Sequence, residues 1–200
     1  MSPVSSIVAA IGRRAALLAG CAFVLASLAA PAQAATERVR LKTSAGDIVV
    51  ELDRAKAPKT VDNFVAYVKA GQYDGTIFHR VIPNFMIQGG GMSKDMSAKP
   101  TKAPIALESR SGLVNQRGTI AMARTADPNS ATAQFFLNLK DNAFLDQANA
   151  RDGQGYAVFG KIVSGMEVVD KIAAVPTTSK GMHQNVPVEP VVILQASMEK

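Results

Sequence analysis

Polar and apolar residues alternate strictly from Arg38 to Lys42, which places Val39 and Leu41 on one side of an extended segment. A period of two is typical of a half-buried strand. The stretch at 44–47 (SAGD) contains turn residues, and the chain returns at 48–52 with IVVEL. The pattern therefore predicts two antiparallel strands joined by a short turn.

Two other segments follow the helical period. The first begins at Pro58, is expected to end at Gly71, and repeats apolar residues at i, i+3, i+4 and i+7: Val61, Phe64, Val65 and Val68. Proline is favoured at the first position of a helix and glycine just beyond its end. The second helix is expected from about Met166 to Ala173, with Met166, Val169, Ile172 and Ala173 on one face.

The remaining apolar runs are short and predict further strands. They lie on both sides of Pro83-Asn84 and at 118–123, 134–137, 156–162 and 191–196, whereas 91–116 is rich in Lys, Ser, Gly and Pro. Many short strands, two helices and no βαβ rhythm favour an antiparallel barrel or sandwich. No internal repeat or linker follows residue 34, so 35–200 is expected to form one domain.

The first 34 residues form the pattern of a secretory signal peptide. Arg13 and Arg14 precede an apolar run at 15–30, and Ala32-Gln33-Ala34 matches a small-residue cleavage site. The run is shorter than a spanning helix requires. The sequence thus predicts cleavage after Ala34, export to the periplasm and no stable membrane insertion of the mature chain.

Alternative destinations remain open. The stretch at 18–21 (LAGC) resembles a lipoprotein cleavage box that would leave Cys21 lipid-anchored, although the chain stays apolar beyond this cysteine. Secretion from the cell is another possible outcome of the same leader. Arg13-Arg14 matches a twin-arginine signal only weakly.

Composition and charge exclude several classes of protein. The chain is 48% hydrophobic and 19% charged, as globular proteins are, and its net charge of +6 falls to +4 when the two leader arginines are removed. Without a Lys/Arg block this mild excess does not indicate nucleic acid. Cys21 is the only cysteine, so the mature chain has neither disulfides nor a thiol nucleophile.

The usual catalytic motifs are missing from the sequence, and one arginine stands out. There is no nucleophile elbow or phosphate-binding glycine motif, and His79 and His183 match no metal-site spacing. Arg80, however, interrupts an apolar run that continues through Phe85 and Met86, and arginine is rarely buried without a partner. Phe135 and Phe136 must point to opposite faces of a strand, so one of them is expected to cover a core and the other a groove.

Four stretches together resemble the cyclophilin family of peptidyl-prolyl isomerases: FHRVIPNFMIQGG at 78–90, GTIAMARTADPNSATAQFFLNL at 118–139, NAFLD at 142–146 and YAVFGKIVSGMEVVDKI at 156–172. The likeness covers nearly all of 39–196, in order, and the leader together with NSATAQFF at 129–136 resembles the bacterial exported branch. It implies a mainly β fold, a closed eight-stranded antiparallel barrel capped by two α-helices. It also implies isomerisation of X-Pro bonds without a cofactor or metal.

The resemblance also assigns roles to individual residues. It implies that Arg80 is the catalytic arginine and that Gln88 holds both Arg80 and the peptide carbonyl. The proline pocket would consist of Phe85, Met86, Phe136 and Leu145, and the peptide would pair with the backbone of Ala123, Arg124 and Thr125 beside Gln134. Phe144 stands where the best-known eukaryotic members have a tryptophan, and Tyr156 where they have a histidine, which puts the affinity for cyclosporin-type inhibitors in doubt.

We therefore expect an exported, monomeric isomerase that acts on proline-containing polypeptides during the folding of exported proteins. Two rival hypotheses remain at this stage. A peptide-binding or chaperone module would need the apolar pocket but not Arg80 and Gln88. A small β-barrel hydrolase would need a base and a nucleophile, and the sequence offers no such pair.

Overall fold

The structure is a computed structural model that describes residues 37–199. The predicted leader, its cleavage site after Ala34 and the alternative lipid site at Cys21 lie outside these residues. The boundary between leader and domain is therefore still a prediction. Within the described residues, no helix has both the length and the apolarity needed to cross a bilayer.

The described chain alternates short strands with two helices. The strands are β1 (Arg38–Thr43), β2 (Gly46–Leu52), β3 (Thr76–Ile82), β4 (Met86–Ser93), β5 (Thr119–Met122), β6 (Phe135–Asn138), β7 (Val158–Ser164), β8 (Thr177–Lys180), β9 (His183–Pro187) and β10 (Ile193–Met198). The helices are α1 (Pro58–Lys69) and α2 (Met166–Ala173), and a short 3-10 helix spans Ala143–Leu145.

Eight strands form one antiparallel sheet in the order β10-β1-β2-β7-β5-β6-β4-β3. Its two outer strands approach each other, because Ile77 bridges Val192 and the Phe78 N–H donates to the Val191 carbonyl at 3.0 Å. The sheet is thus a nearly closed barrel, which confirms the predicted fold class.

The periodicity of the first helix is confirmed by its buried face. Val61, Phe64, Val65 and Val68 are all buried against the barrel. The helix ends at Lys69, and Gly71 adopts a positive φ of 64° while its N–H donates to the Val68 carbonyl at 3.0 Å. This left-handed ending needs a residue without a Cβ penalty, which explains why glycine marks the end.

The second helix has the predicted bounds, whereas one hairpin was not predicted. Strands β8 and β9 pair across Gly181-Met182, and every residue of β8 is exposed. The predicted loop at 91–116 also begins slightly later, because β4 continues to Ser93.

Candidate active site

The two neighbouring phenylalanines of β6 face two separate apolar clusters. Phe135 lies in the main core inside the barrel. Phe136 faces outward and packs with the buried side chains of Met86, Ala121, Leu145 and Val158. The alternation expected from the sequence is therefore confirmed, and the outward cluster contains the residues predicted for the proline pocket. We call this second cluster the apolar cup; its partly buried members are Ile82, Phe85, Leu113, Ala123 and Tyr156.

The cup belongs to one row of residues that crosses five neighbouring strands. Arg80 on β3 pairs with Gln88 on β4, which in turn pairs with Phe136 on β6. Phe136 pairs with Ala121 on β5, and Ala121 with Val158 on β7. Since directly paired residues of adjacent strands share a face, the row runs from a cation at one end to apolar side chains at the other.

Arg80 reaches this face because β3 contains a bulge. Phe78 pairs with Gly89 and Arg80 with Gln88, so His79 is one extra residue on β3. A bulge of this kind bends the strand and re-aims the side chains that follow it. Phe78, His79 and Val81 are buried, and only Arg80 in this stretch is exposed.

A chain of polar side chains leads from Arg80 along the row. The Arg80 guanidinium donates to Oε1 of Gln88 at 3.5 Å, a long contact, and Nε2 of Gln88 donates to Oε1 of Gln134 at 2.8 Å. Gln134 thereby holds the amide nitrogen of Gln88, while the amide oxygen of Gln88 faces the guanidinium. The arrangement places a permanently charged donor beside the apolar cup.

Two rings form the outer rim of the cup. The ring of Phe85 stacks on that of Phe144 with centroids 5.6 Å apart and planes inclined by 27°. Phe144 is 54% exposed, whereas Leu145 beside it is buried. An aromatic side chain with so large an exposed fraction, next to a buried apolar cluster, offers a surface that a ligand could cover.

Two buried amide groups hold the backbone carbonyl of Phe85. Its carbonyl accepts bonds from the Leu139 N–H at 3.0 Å and from Nδ2 of Asn142 at 2.9 Å. The Asn142 carbonyl also accepts the Leu145 N–H at 2.8 Å. Asn142 therefore fixes two walls of the cup, Phe85 and Leu145, at once.

The segment 123–125 borders the cup and offers free backbone groups. Thr125 is exposed, and within residues 37–199 neither the N–H nor the carbonyl of Arg124 has a hydrogen-bond partner. The Arg124 side chain, in contrast, is only 2% exposed, and one of its terminal nitrogens forms an ion pair with Asp152. The backbone of this segment, and not the Arg124 side chain, is therefore placed to pair with an extended peptide.

Two titratable groups near the row have displaced pKa values. The pKa of His79 is lowered from 6.5 to about 4, mainly by burial and to a smaller extent by the nearby His183 and Arg80. The hydrogen bond from Arg124 lowers the pKa of Asp152 to about 2, and the backbone N–H groups of Gln154 and Gly155 contribute as well. His79 is therefore neutral and Asp152 ionised at neutral pH.

The structure brings all the predicted site residues to one face: Arg80, Phe85, Met86, Gln88, Ala123, Arg124, Thr125, Gln134, Phe136, Phe144, Leu145 and Tyr156. Their roles stay predictions. Sequence reasoning missed Ala121 and Val158, although each precedes a core residue on its strand and so must face outward. It also missed Asn142 and Asp152, because their contacts depend on loops that meet only in the folded chain.

A cavity of about 370 Å³ lies apart from the cup and contains none of the predicted site residues. Its lining is mainly polar: Lys56, Leu107, Glu108, Ser109, Arg110, Ser111, Pro128, Asn129 and Gln154.

Comparison with known proteins points to one family. The model of the cyclophilin type peptidyl-prolyl cis-trans isomerases matches residues 38–198. The peptidyl-prolyl cis-trans isomerase cyp18 of Streptomyces antibioticus is 60% identical over 161 residues, which cover 80% of this chain and 97% of that protein. A peptidyl-prolyl cis-trans isomerase of Acinetobacter baylyi is 54% identical over 184 residues, covering 92% of this chain and 97% of that protein.

Solved structures agree with the sequence relatives. A cyclophilin type peptidyl-prolyl cis-trans isomerase of Cryptosporidium parvum superposes with a TM-score of 0.69 at 27% identity, covering 82% of this chain and 98% of that one. The same protein in the presence of the dipeptide Ala-Pro gives a TM-score of 0.67 at 27% identity, with 82% and 99% covered. The chain therefore belongs to the cyclophilin family of peptidyl-prolyl cis-trans isomerases, enzymes that need no cofactor.

Proposed function

We propose that this isomerase acts on X-Pro bonds of exported proteins in the periplasm, with Arg80 as the catalytic residue and the apolar cup as the proline site. The observation that carries the proposal is the position of the Arg80 guanidinium, which Gln88 contacts at the edge of a cup of buried apolar side chains. The signal-peptide pattern of residues 1–34 supports the location.

The reaction breaks no covalent bond and transfers no chemical group. Rotation about an X-Pro bond is slow because twisting removes amide resonance, which creates a barrier of about 20 kcal/mol. In the twisted state the prolyl nitrogen regains a lone pair that can accept a hydrogen bond. A donor aimed at that nitrogen stabilises the twisted state more than either planar state, and this difference lowers the barrier.

Arg80 suits this role because its guanidinium stays charged and presents several donors in a fixed plane. Met86, Phe136 and Leu145 would hold the proline ring by burying its apolar surface. Gln88, oriented by Gln134, would accept from Arg80 and donate to the peptide carbonyl. The free backbone groups of Arg124 would pair with the residues that precede proline.

Turnover separates this proposal from a purely binding role. The purified enzyme should accelerate cis–trans isomerisation of a short X-Pro peptide, and Arg80→Ala should lose this activity while it still binds the peptide. A wild-type protein that binds the peptide without accelerating its isomerisation would contradict the proposed mechanism.

Export is tested on the protein made in cells. We expect a mature chain that begins at Ala35 and is recovered in the soluble periplasmic fraction, as judged by fractionation, intact mass and N-terminal sequencing. A chain that begins at a lipid-modified Cys21 and sediments with membranes would contradict the proposed location.

A further inference from the structure

We propose that the Arg124 side chain is a positioning residue that sets substrate affinity by holding Tyr156 against the apolar cup. This inference rests on the proposed function and adds a role for a side chain that does not itself touch the peptide. Four contacts of the guanidinium, together with its burial, carry the argument.

The side chain of Arg124 is buried although it carries a charge. Its side chain is 2% exposed, and burying an arginine in this way is costly unless its charge is paired and hydrogen-bonded. Its Nε donates to the Gly155 carbonyl at 2.9 Å, one terminal nitrogen to the Thr125 carbonyl at 3.0 Å, and the other to the Asp152 carboxylate. All three nitrogens are thus engaged, two of them with backbone carbonyls.

These bonds tie two separate parts of the site together. Thr125 belongs to the segment with free backbone groups, whereas Asp152 and Gly155 belong to the loop that leads to Tyr156. Gly155 has a φ of 66°, and a Cβ there would lie 2.7 Å from the Leu145 carbonyl. The loop is therefore packed closely against the wall of the cup, and Arg124 connects it to the peptide-pairing segment.

Tyr156 is the residue through which Arg124 can act on substrate. The centre of the guanidinium lies 4.6 Å from the centroid of the Tyr156 ring, within the range of a cation–π contact. The same ring meets Phe136 edge-on, with centroids 5.7 Å apart and planes at 81°. Tyr156 therefore contacts both Arg124 and Phe136, and through Phe136 it belongs to the cup.

The expected effect is on binding more than on the chemical step. Tyr156 contacts the cup and not the prolyl nitrogen, so it would stabilise planar and twisted states about equally. Loss of such uniform binding raises KM and leaves kcat nearly unchanged. Arg124→Met, which keeps length and apolar bulk, should raise KM about tenfold, the scale of one or two lost aromatic contacts.

A double-mutant cycle tests whether Arg124 acts through Tyr156. The KM and kcat of the wild type, Arg124→Met, Tyr156→Leu and the double variant are measured with one X-Pro peptide. If the inference is correct, Arg124→Met raises KM about tenfold in the wild type and less than about twofold in Tyr156→Leu, because the ring it positions is gone. The same increase in both backgrounds would show only a general structural role and would overturn the inference.

Two further variants keep the test decisive. Asp152→Asn alters an exposed carboxylate and so should fold even if Arg124→Met does not, and its smaller rise in KM should also vanish in the Tyr156→Leu background. Arg54→Met is the control, because Arg54 likewise forms ion pairs with carboxylates, those of Glu37 and Asp62, and none of these residues belongs to the cup. Its KM should equal that of the wild type.

The outcomes also separate this inference from the proposed function. A wild type without turnover would contradict the proposed function itself. A wild type with normal turnover, together with an unchanged KM in both Arg124→Met and Asp152→Asn, would overturn the role of Arg124 alone.

Discussion

Arg80 owes its exposed position to a single extra residue in β3. Without the bulge at His79, side chains would alternate regularly from Phe78, and Arg80 would fall on the buried face with it. The bulge instead leaves Phe78 and Val81 in the core and turns the guanidinium towards Gln88. A bulge beside the proposed catalytic residue agrees with the tendency of bulges to occur next to active sites.

Arg80→Ala is the most direct test of the role proposed for the Arg80 guanidinium. If the guanidinium acts on the twisted state, kcat/KM should fall by about 10²–10³-fold, the effect of removing one preorganised donor. Peptide affinity measured by calorimetry should change far less, because the cup remains. Arg80→Lys should restore little activity, since lysine lacks the planar fork.

The control for this prediction is Arg38→Ala, which removes an exposed arginine of β1 that pairs with Glu51 on another part of the barrel. Its activity should match that of the wild type. An Arg80→Ala enzyme that retains most of its kcat/KM would contradict the mechanism.

Phe144 is predicted to limit inhibitor affinity. It is an exposed rim ring without a hydrogen-bond donor, in the position where a tryptophan would add both area and an indole N–H. Phe144→Trp should strengthen the binding of a cyclosporin-type macrocycle by on the order of 1–3 kcal/mol, the scale of an unmet polar group plus lost packing. Turnover of short peptides should change little, because Arg80 and the buried cup are untouched.

Inhibition of the wild type and Phe144→Trp is compared on one peptide substrate, with Phe144→Leu as a variant that removes the ring. If the wild type is already inhibited as tightly as Phe144→Trp, the rim does not control this affinity.

At the scale of elements, α1 depends on a carboxylate from a distant loop. Glu108 accepts the N–H groups of Lys59 and Thr60 at 3.1 and 2.8 Å, which are donors that the first turn of a helix cannot satisfy internally. It also accepts the Thr60 hydroxyl at 2.7 Å. The sequence predicted this helix from its apolar face, but it could not reveal that a residue of the 91–116 loop caps the helix.

Glu108→Gln is therefore expected to lower the free energy of unfolding by about 1 kcal/mol, the typical cost of a weakened N-terminal cap together with the loss of charge near the helix dipole. Urea denaturation measures this change. The kcat of the folded enzyme should be unchanged, because α1 contributes no residue to the cup. Glu189→Gln, at an exposed position, serves as the control, and equal stability of the two variants would contradict a capping role.

The hairpin of β8 and β9 could not be predicted from the pattern of polar and apolar residues. All four residues of β8 are exposed, and Met182 in its turn is 98% exposed. Such a strand buries no face, so its side chains carry no alternation to detect. The helices and the barrel strands were predictable because each of them buries one face or both.

At the scale of the whole molecule, the sequence proposed the residues of the candidate site but not how they meet. Alternation along the strand predicted that either Phe135 or Phe136 faces outward, but not which of the two. The row from Arg80 to Val158 depends on the pairing of five strands that are far apart in the sequence, and strand order cannot be derived from periodicity. The resemblance to a family supplied that long-range information for most site residues, but it assigned Arg124 only through its backbone.

Two different responses to pH follow from the whole structure. Amide rotation transfers no proton, and His79 is neutral above about pH 4 because burial depresses its pKa. Turnover per folded molecule should therefore be nearly constant from about pH 6 to 9. A bell-shaped profile in stopped-flow assays, or loss of activity on addition of a chelator, would indicate a different chemistry.

Stability, in contrast, should depend on pH below neutrality. Between pH 6.5 and about 4 the unfolded chain binds a proton at His79 that the folded protein excludes, so acidification favours unfolding. The full difference corresponds to roughly 3 kcal/mol. Asp95 and Asp152 have pKa values lowered to about 2 by their hydrogen bonds from Ser93 and Arg124. They lose their contribution to the free energy of unfolding only below about pH 4.

Urea denaturation of wild type and His79→Phe at pH 7, 5.5 and 4.5 separates these effects. The wild type should lose stability across this series and His79→Phe, which keeps a ring without a titrating nitrogen, should lose much less. Equal losses in both proteins would show that another group senses the acid.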